Sequence, residues 1–107
     1  MRYIRAVDLA STTVKAHVVL DLRDAQAHAE AHVPGAINLA PAVVADRLRE
    51  FSRSDLTFVL ADDSALADMV ALLLDRNGIE AVVARGGTTA WHHAGLPMTQ
   101  QDVALAS

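Results

Sequence analysis

Cysteine is absent from this chain of 107 residues, which also has only one Trp, one Tyr and two Phe. Without cysteine the chain can form no disulfide, offers no thiolate to a metal ion and has no thiol nucleophile. The few aromatic residues are scattered, so they build no platform on which nucleic-acid bases could stack. Together these absences exclude covalent thiol chemistry within the chain itself.

Positive charge is also scarce, because nine Lys and Arg residues face thirteen Asp and Glu residues and the formal net charge is -4. Such a chain offers no basic field to a phosphate backbone. It has no run of about 18 apolar residues that could cross a membrane, and charges interrupt its first residues too often for a secretory signal. We therefore expect a cytoplasmic protein with no nucleic-acid or membrane partner and no cofactor.

The residues that are present suit one folded domain spanning residues 1–107. Hydrophobic residues make up 52% of the chain and charged residues 21%, which is enough apolar surface for one core. Apolar runs typical of buried strands alternate with segments of helical periodicity. This alternation predicts an α/β fold with a central parallel sheet of four or five strands, helices on both faces, and functional sites at the carboxyl ends of the strands.

The individual elements can be placed from these patterns. We predict three buried strands at 17–23, 56–60 and 81–84, and a short strand at 36–39. Helices are expected at 25–31, from Pro41 through Phe51, from about residue 64 to Asn77, and at 88–94. The tail after Met98 is expected to fray or to dock weakly. In the third helix the core-facing stripe is predicted as Leu66, Met69, Val70, Leu73 and Leu74.

Three motifs then occur in order along the chain. An Asp-x-Arg pair, Asp21 and Arg23, ends the first buried strand, and His-Val-Pro-Gly-Ala follows at residues 32–36. The third motif is Gly-Gly-x-x-x-Trp at residues 86–91, with Ala-Gly-Leu-Pro after it at residues 94–97. Together they resemble the motifs of rhodanese-like domains, and the resemblance covers about residues 15–98.

The resemblance implies an activity that this chain cannot perform alone. Rhodanese-like domains transfer sulfane sulfur through a cysteine persulfide that lies at the end of the central strand, in front of a loop of backbone amides. Counting back without gaps from Gly78 places Ala61 at the position of that cysteine, and Leu66 where active members commonly carry arginine. Asp62 and Asp63 would in addition repel an anionic sulfur donor.

We therefore interpret the chain as a catalytically inactive rhodanese-like domain with a binding, interaction or regulatory role. Its expected partner is a protein, either a second copy or another chain, and the sequence leaves any small-molecule ligand open. The candidate binding loop consists of Ala61, Asp62, Asp63, Ser64, Ala65 and Leu66.

The motif residues that the chain retains are assigned to the fold. Asp21 and Arg23 are expected to tie a strand end to its neighbours, and His32 to hydrogen-bond within its turn. Trp91 is expected to pack in the core with its indole N–H satisfied. The turns themselves use Pro34, Gly35, Gly86 and Gly87.

The polar residues in and near the loop allow other interpretations. Ser64 is taken as a helix N-cap and not as a nucleophile, because no Gly-x-Ser-x-Gly motif surrounds it. Asp62 and Asp63, with Asp21 and Asp24, could form a Mg²⁺ or Ca²⁺ site, although acidic residues at a helix start also complement the helix dipole.

Two histidines, His28 and His32, have a spacing that can bind Zn²⁺, but the helix should end near His32, so no metal site is predicted there. The alternative function is a sulfur-handling enzyme that works through a partner's cysteine or through a metal on the Asp62 and Asp63 loop.

Overall fold

The computed structural model describes residues 2–11 and 17–100. Its centre is a five-stranded sheet with the order β1-β5-β4-β2-β3, in which every pair of neighbouring strands is parallel. This arrangement confirms the α/β fold predicted from the sequence. The strands are β1 at Arg2–Arg5, β2 at His17–Asp21, β3 at Ile37–Asn38, β4 at Leu56–Leu60 and β5 at Ala81–Arg85.

Three α-helices connect the strands from β2 to β5, namely α1 at Ala25–Glu30, α2 at Pro41–Asp46 and α3 at Ser64–Arg76, and α4 at Gly87–His93 follows β5. Helix α1 starts where the Asp24 carboxylate accepts a hydrogen bond from the Ala27 N–H at 2.8 Å. Pro41 begins α2, at a position where a missing N–H costs nothing.

The prediction of one helix from Pro41 through Phe51 was wrong. Helix α2 ends at Asp46, and a short 3-10 helix follows at Leu48–Glu50. Arg47 lies between the two with its N–H shared by the Val43 and Val44 carbonyls, so the chain tightens there instead of continuing as α-helix.

Two apolar clusters lie on opposite faces of the sheet. Because side chains alternate along a strand, Val59 of β4 belongs to the cluster under α3, whereas its neighbours Phe58 and Leu60 belong to the cluster that contains Trp91 of α4. A further 3-10 helix at Ala6–Ser11 contributes Leu9 to the second cluster. Helices therefore cover both faces, as expected.

The buried face of α3 differs from the predicted stripe. Ala67, Val70, Ala71 and Leu74 are buried, whereas Met69 is 60% exposed and Leu66 and Leu73 are only half-buried. The pattern 67, 70, 71, 74 is a proper helical face, and its two alanines let the helix approach the sheet closely. The prediction was confirmed for Val70 and Leu74 and wrong for Met69, and it missed Ala67 and Ala71 because it gave more weight to large apolar residues than to small ones.

Two parts of the chain add to what the sequence predicts. Strand β1 was not predicted, and it pairs with β5 so that Tyr3 lies opposite Val83. Thr99 exchanges two backbone hydrogen bonds with His32, of 2.8 and 2.9 Å, so the tail is docked up to this residue. The rest of the predicted tail, residues 101–107, lies outside the described residues. Within residues 2–11 and 17–100, no helix is long and apolar enough to span a membrane.

Candidate functional site

The candidate loop, residues 61–66, lies at the carboxyl edge of the sheet between β4 and α3. Strand β4 ends at Leu60, and Ala61 follows directly with 8% of its surface exposed. The next four residues are exposed, and Leu66 packs partly against the core under α3. The loop therefore presents a nearly buried methyl group, two carboxylates and a hydroxyl where a central strand meets a helix.

Asp63 is the N-cap of α3. Its Oδ1 atom accepts hydrogen bonds from the Ala65 N–H at 2.9 Å and from the Leu66 N–H at 3.3 Å. The interpretation of Ser64 as the cap was wrong, because Ser64 is already the first residue of α3. A helix start of this kind can hold an anion through its free N–H groups, and here the chain's own carboxylate bonds two of them.

Helix α4 braces the other side of the loop. The Thr89 hydroxyl donates a long hydrogen bond of 3.4 Å to Asp62 Oδ1. Gly87 has a φ of +58°, and a Cβ atom added to it would lie 2.5 Å from the Ala61 carbonyl oxygen. Only glycine permits this approach, so the Gly86 and Gly87 turn fixes the position of the loop backbone.

Asp21 is the centre of a buried polar cluster next to the loop's strand. Its carboxylate is fully buried, and it accepts hydrogen bonds from Arg23 Nε at 3.1 Å and Arg23 Nη2 at 3.0 Å. His28 Nδ1 lies 2.8 Å from Asp21 Oδ2, and Arg23 Nη2 also donates to the Ala31 carbonyl at 2.7 Å. The Asp-x-Arg pair therefore ties the end of β2 to α1, as predicted.

The protonation of Asp21 follows from these contacts. Burial alone raises the pKa of a carboxyl group, but the hydrogen bonds from Arg23 and His28 outweigh burial and hold the pKa of Asp21 below its ordinary value of 3.8. Asp21 is therefore ionised at neutral pH and balances the charge of Arg23. Its role here is that of a buried structural anion.

His28 and His32 stack on each other with ring centroids 3.7 Å apart. His32 Nδ1 donates to the His28 carbonyl at 2.6 Å, which agrees with the expected role of His32 in its own turn. Each Nδ1 atom already has a hydrogen-bond partner. Packing and hydrogen bonds therefore account for the positions of both rings. Among the described residues, no group of three or more His, Cys, Asp or Glu side chains could hold a metal ion.

The four aspartates considered as a cation site do not converge. Asp21 pairs with Arg23 and His28, Asp24 caps α1, Asp62 faces Thr89 and Asp63 caps α3. A cation would therefore have to displace several of these partners.

An open cleft of about 260 Å³ lies along one side of the loop. Its walls come from the loop and the start of α3 on one side, and from Tyr3 of β1 and the end of β5 on the other. The Arg85 guanidinium lies over the ring of Tyr3, with its carbon 4.1 Å from the ring centroid. The lining residues are Tyr3, Ala61, Asp62, Ser64, Ala67, Asp68, Val83, Ala84, Arg85 and Gly86.

The structure brings together only part of the predicted set. The loop, Gly86 and Gly87 are neighbours. Trp91 packs on the opposite face of the sheet from α3, with its Nε1–H bonded to the Pro97 carbonyl at 2.6 Å. Pro34 and Gly35 lie in the turn after α1, where Gly35 has a φ of +83°. Sequence reasoning missed Tyr3 and Arg85, because only the pairing of β1 with β5 makes them neighbours.

Comparisons with known proteins agree with this architecture. A family model described as a rhodanese-like domain matches residues 7–94. No curated protein matches the chain.

Several solved structures are similar to this one. A rhodanese-related protein from Thermoplasma volcanium superposes with a TM-score of 0.83 at 23% identity, covering 92% of this chain and 98% of the other. A rhodanese-like domain protein from Staphylococcus aureus gives 0.77 at 25% identity, covering 85% and 91%. A full-length protein from Lactobacillus plantarum gives 0.76 at 28% identity, covering 92% and 87%.

Proposed function

Because the chain belongs to the rhodanese-like domain family, we propose that it is a member without sulfur-transfer activity that binds another protein through the face of loop 61–66. The family's chemistry needs a cysteine, and none of the 107 residues is one. Ala61 lies at the carboxyl end of a central strand, where the family resemblance puts that cysteine, and alanine forms no persulfide.

The observation that carries the proposal is the cap that Asp63 forms on α3. In a sulfur-transfer site, the backbone N–H groups at this helix start would stabilise an anionic sulfur donor. Here the Asp63 carboxylate bonds the N–H groups of Ala65 and Leu66. An incoming thiosulfate would have to compete with this internal anion and would meet the like charge of Asp62.

The surface of the loop is suited to recognition by a partner of opposite charge. Four consecutive residues of the loop are exposed, namely Asp62, Asp63, Ser64 and Ala65. Strand β4, helix α3 and the Gly87 contact hold the loop on the other side. A rigid acidic face of this kind favours a basic segment of a partner, since complementary charge raises the rate of association and the specificity. We therefore expect the partner to contact Asp62 with lysine or arginine side chains.

The test is affinity capture with three immobilised proteins. Wild type, Asp62→Lys and the control Asp46→Lys are exposed to an extract of the native cells, after thermal melts have shown that all three fold. Asp46 is also exposed but lies on α2, away from the loop. We expect a protein that wild type and the control retain and that Asp62→Lys loses. Retention of no protein, or equal retention by all three, contradicts the proposal.

A further inference from the structure

The cleft beside the loop holds charges of both signs that do not neutralise each other. Asp62 and Asp68 line one wall and Arg85 lines the other. No nitrogen–oxygen pair between Arg85 and these acids is within 4.0 Å, since Arg85 takes part in no ion pair within residues 2–11 and 17–100. Opposite charges thus share one concave surface without touching.

Arg85 is kept on its wall by its contact with Tyr3. The guanidinium stacks on the tyrosine ring, whose electron-rich face attracts the cation. Its N–H donors form no hydrogen bond to a described residue, and Asp68 across the cleft is likewise unbonded to the described part of the chain. The planar fork of an arginine matches the two oxygens of a carboxylate. One wall therefore offers a carboxylate-binding group and the other offers acceptors for an ammonium group.

We propose that this cleft binds a small zwitterion of the α-amino acid class, with its carboxylate on Arg85 and its ammonium group between Asp62 and Asp68. The Ser64 hydroxyl can accept from the same ammonium group. Between the two walls, Ala61, Ala67 and Val83, which belong to the core cluster on this face of the sheet, form an apolar floor that suits a short aliphatic side chain.

Size and charge both favour this ligand over simpler ions. The cleft has a volume of about 260 Å³, which leaves room for a small amino acid. A simple anion would meet two carboxylates for one guanidinium, and a simple cation would meet Arg85. Only a ligand with both charges pairs both walls. Asp62 is shared with the proposed protein partner but Arg85 and Asp68 are not, so a domain that captures no protein can still hold this ligand.

The test is calorimetric titration of the intact chain with each of the free amino acids that occur in proteins, at concentrations up to about ten millimolar. The tightest ligand is then compared with its N-acetyl derivative, which lacks the ammonium charge, and with its amide, which lacks the carboxylate. We expect the zwitterion to bind wild type at least ten-fold more tightly than either derivative. Absence of binding by every amino acid overturns the proposal, and so does a derivative that binds as tightly as its parent.

Two variants test which wall of the cleft binds the carboxylate of the ligand and which binds its ammonium group. Arg85→Gln should abolish the preference for the amino acid over its amide, and Asp68→Asn should reduce the preference over the N-acetyl derivative. The matched controls Arg49→Gln and Asp46→Asn change exposed charges on α2 and the 3-10 helix after it, so they should leave binding unchanged. Unaltered selectivity in Arg85→Gln contradicts the proposed orientation even if an amino acid binds.

Discussion

At the scale of single residues, Asp21 shows how a motif residue of this family contributes to the structure. Its carboxylate is fully buried, and Arg23 and His28 supply the hydrogen bonds that keep it ionised. Arg23 in turn reaches the carbonyl of Ala31, at the end of α1. One buried anion thereby links a strand end, a helix and the following turn.

Replacement of Asp21 by asparagine should be costly at neutral pH. Asp21→Asn leaves the Arg23 guanidinium, whose side chain is only 13% exposed, without its counter-ion. Removing one partner of a buried ion pair typically costs about 3 kcal/mol or more. Urea denaturation at pH 7 should show this loss relative to wild type and to the control Asp46→Asn. An unfolding midpoint equal to that of the control would contradict the structural role of Asp21.

The same pair should make the stability depend on acid pH. Because folding lowers the pKa of Asp21, its contribution is fully present above the unfolded pKa, about 3.9, and is lost as the pH falls through the lower folded pKa. The difference in unfolding free energy between wild type and Asp21→Asn should therefore shrink below about pH 4. A difference that stays constant from pH 7 to pH 3 would exclude this ionisation.

At the scale of elements, the start of α4 acts as a brace for loop 61–66. Gly87 allows the two backbones to meet, and Thr89 reaches Asp62 from the same turn of helix. The motif glycines thus fix the backbone geometry beside Ala61.

Two glycine variants separate backbone strain from crowding of the loop. Gly35→Ala meets open space at a φ of +83°, so it should cost only the roughly 1–2 kcal/mol of the left-handed conformation. Gly87→Ala has the same conformational penalty and also places Cβ against the Ala61 carbonyl, which adds about 1–3 kcal/mol of overpacking. Urea denaturation of both variants measures the difference. Equal losses would show that α4 does not press on the loop.

Thr88, the next residue of α4, should tolerate the loss of its hydroxyl. The residue is 4% exposed, and its Oγ1 atom has no hydrogen-bond partner in the described structure. Thr88→Val keeps the shape and removes an unsatisfied polar atom, so we expect a gain of about 1 kcal/mol in unfolding free energy. Thr99→Val, which removes a hydroxyl at a half-buried position, is the control. A loss of stability in Thr88→Val would reveal a partner for the buried hydroxyl.

At the scale of the whole molecule, the parallel sheet collects the variable features at one edge. All five strands end at the same edge, so loop 61–66, the Gly86 turn and the Arg85 wall of the cleft are neighbours although they are far apart in sequence. The opposite strand ends hold none of these groups. Changes at this edge can therefore alter function while the two core clusters keep the fold.

The sequence predicts the interior of this molecule better than its edges. Strands β2, β4 and β5 were predicted because each is a run of buried apolar residues. Strand β1 was missed because most of its residues are exposed and arginines occupy both of its ends. The contact between Asp21 and His28 could not be predicted either, because it depends on how α1 is seated against the end of β2.

Only those parts of the site that are close together in the sequence were predicted. The order of β4, loop and α3 follows from the apolar run and the polar residues after it, so the position of Ala61 was accessible. The choice of Asp63 over Ser64 as the cap depends on backbone angles that the sequence does not specify. The contact between Tyr3 and Arg85 depends on β1. Because that strand was not predicted, the contact was not predicted either.

The proposal that this rhodanese-like domain performs no sulfur transfer can be checked by assaying the wild-type chain with thiosulfate and cyanide. Thiocyanate is measured over a range of protein concentrations, and the intact mass is measured after incubation with thiosulfate alone. With Ala61 at the strand end and Asp63 on the loop amides, we expect thiocyanate at background and no added sulfur atom. Thiocyanate formation that rises in proportion to protein and persists after the protein is repurified would contradict the proposal that the domain performs no sulfur transfer.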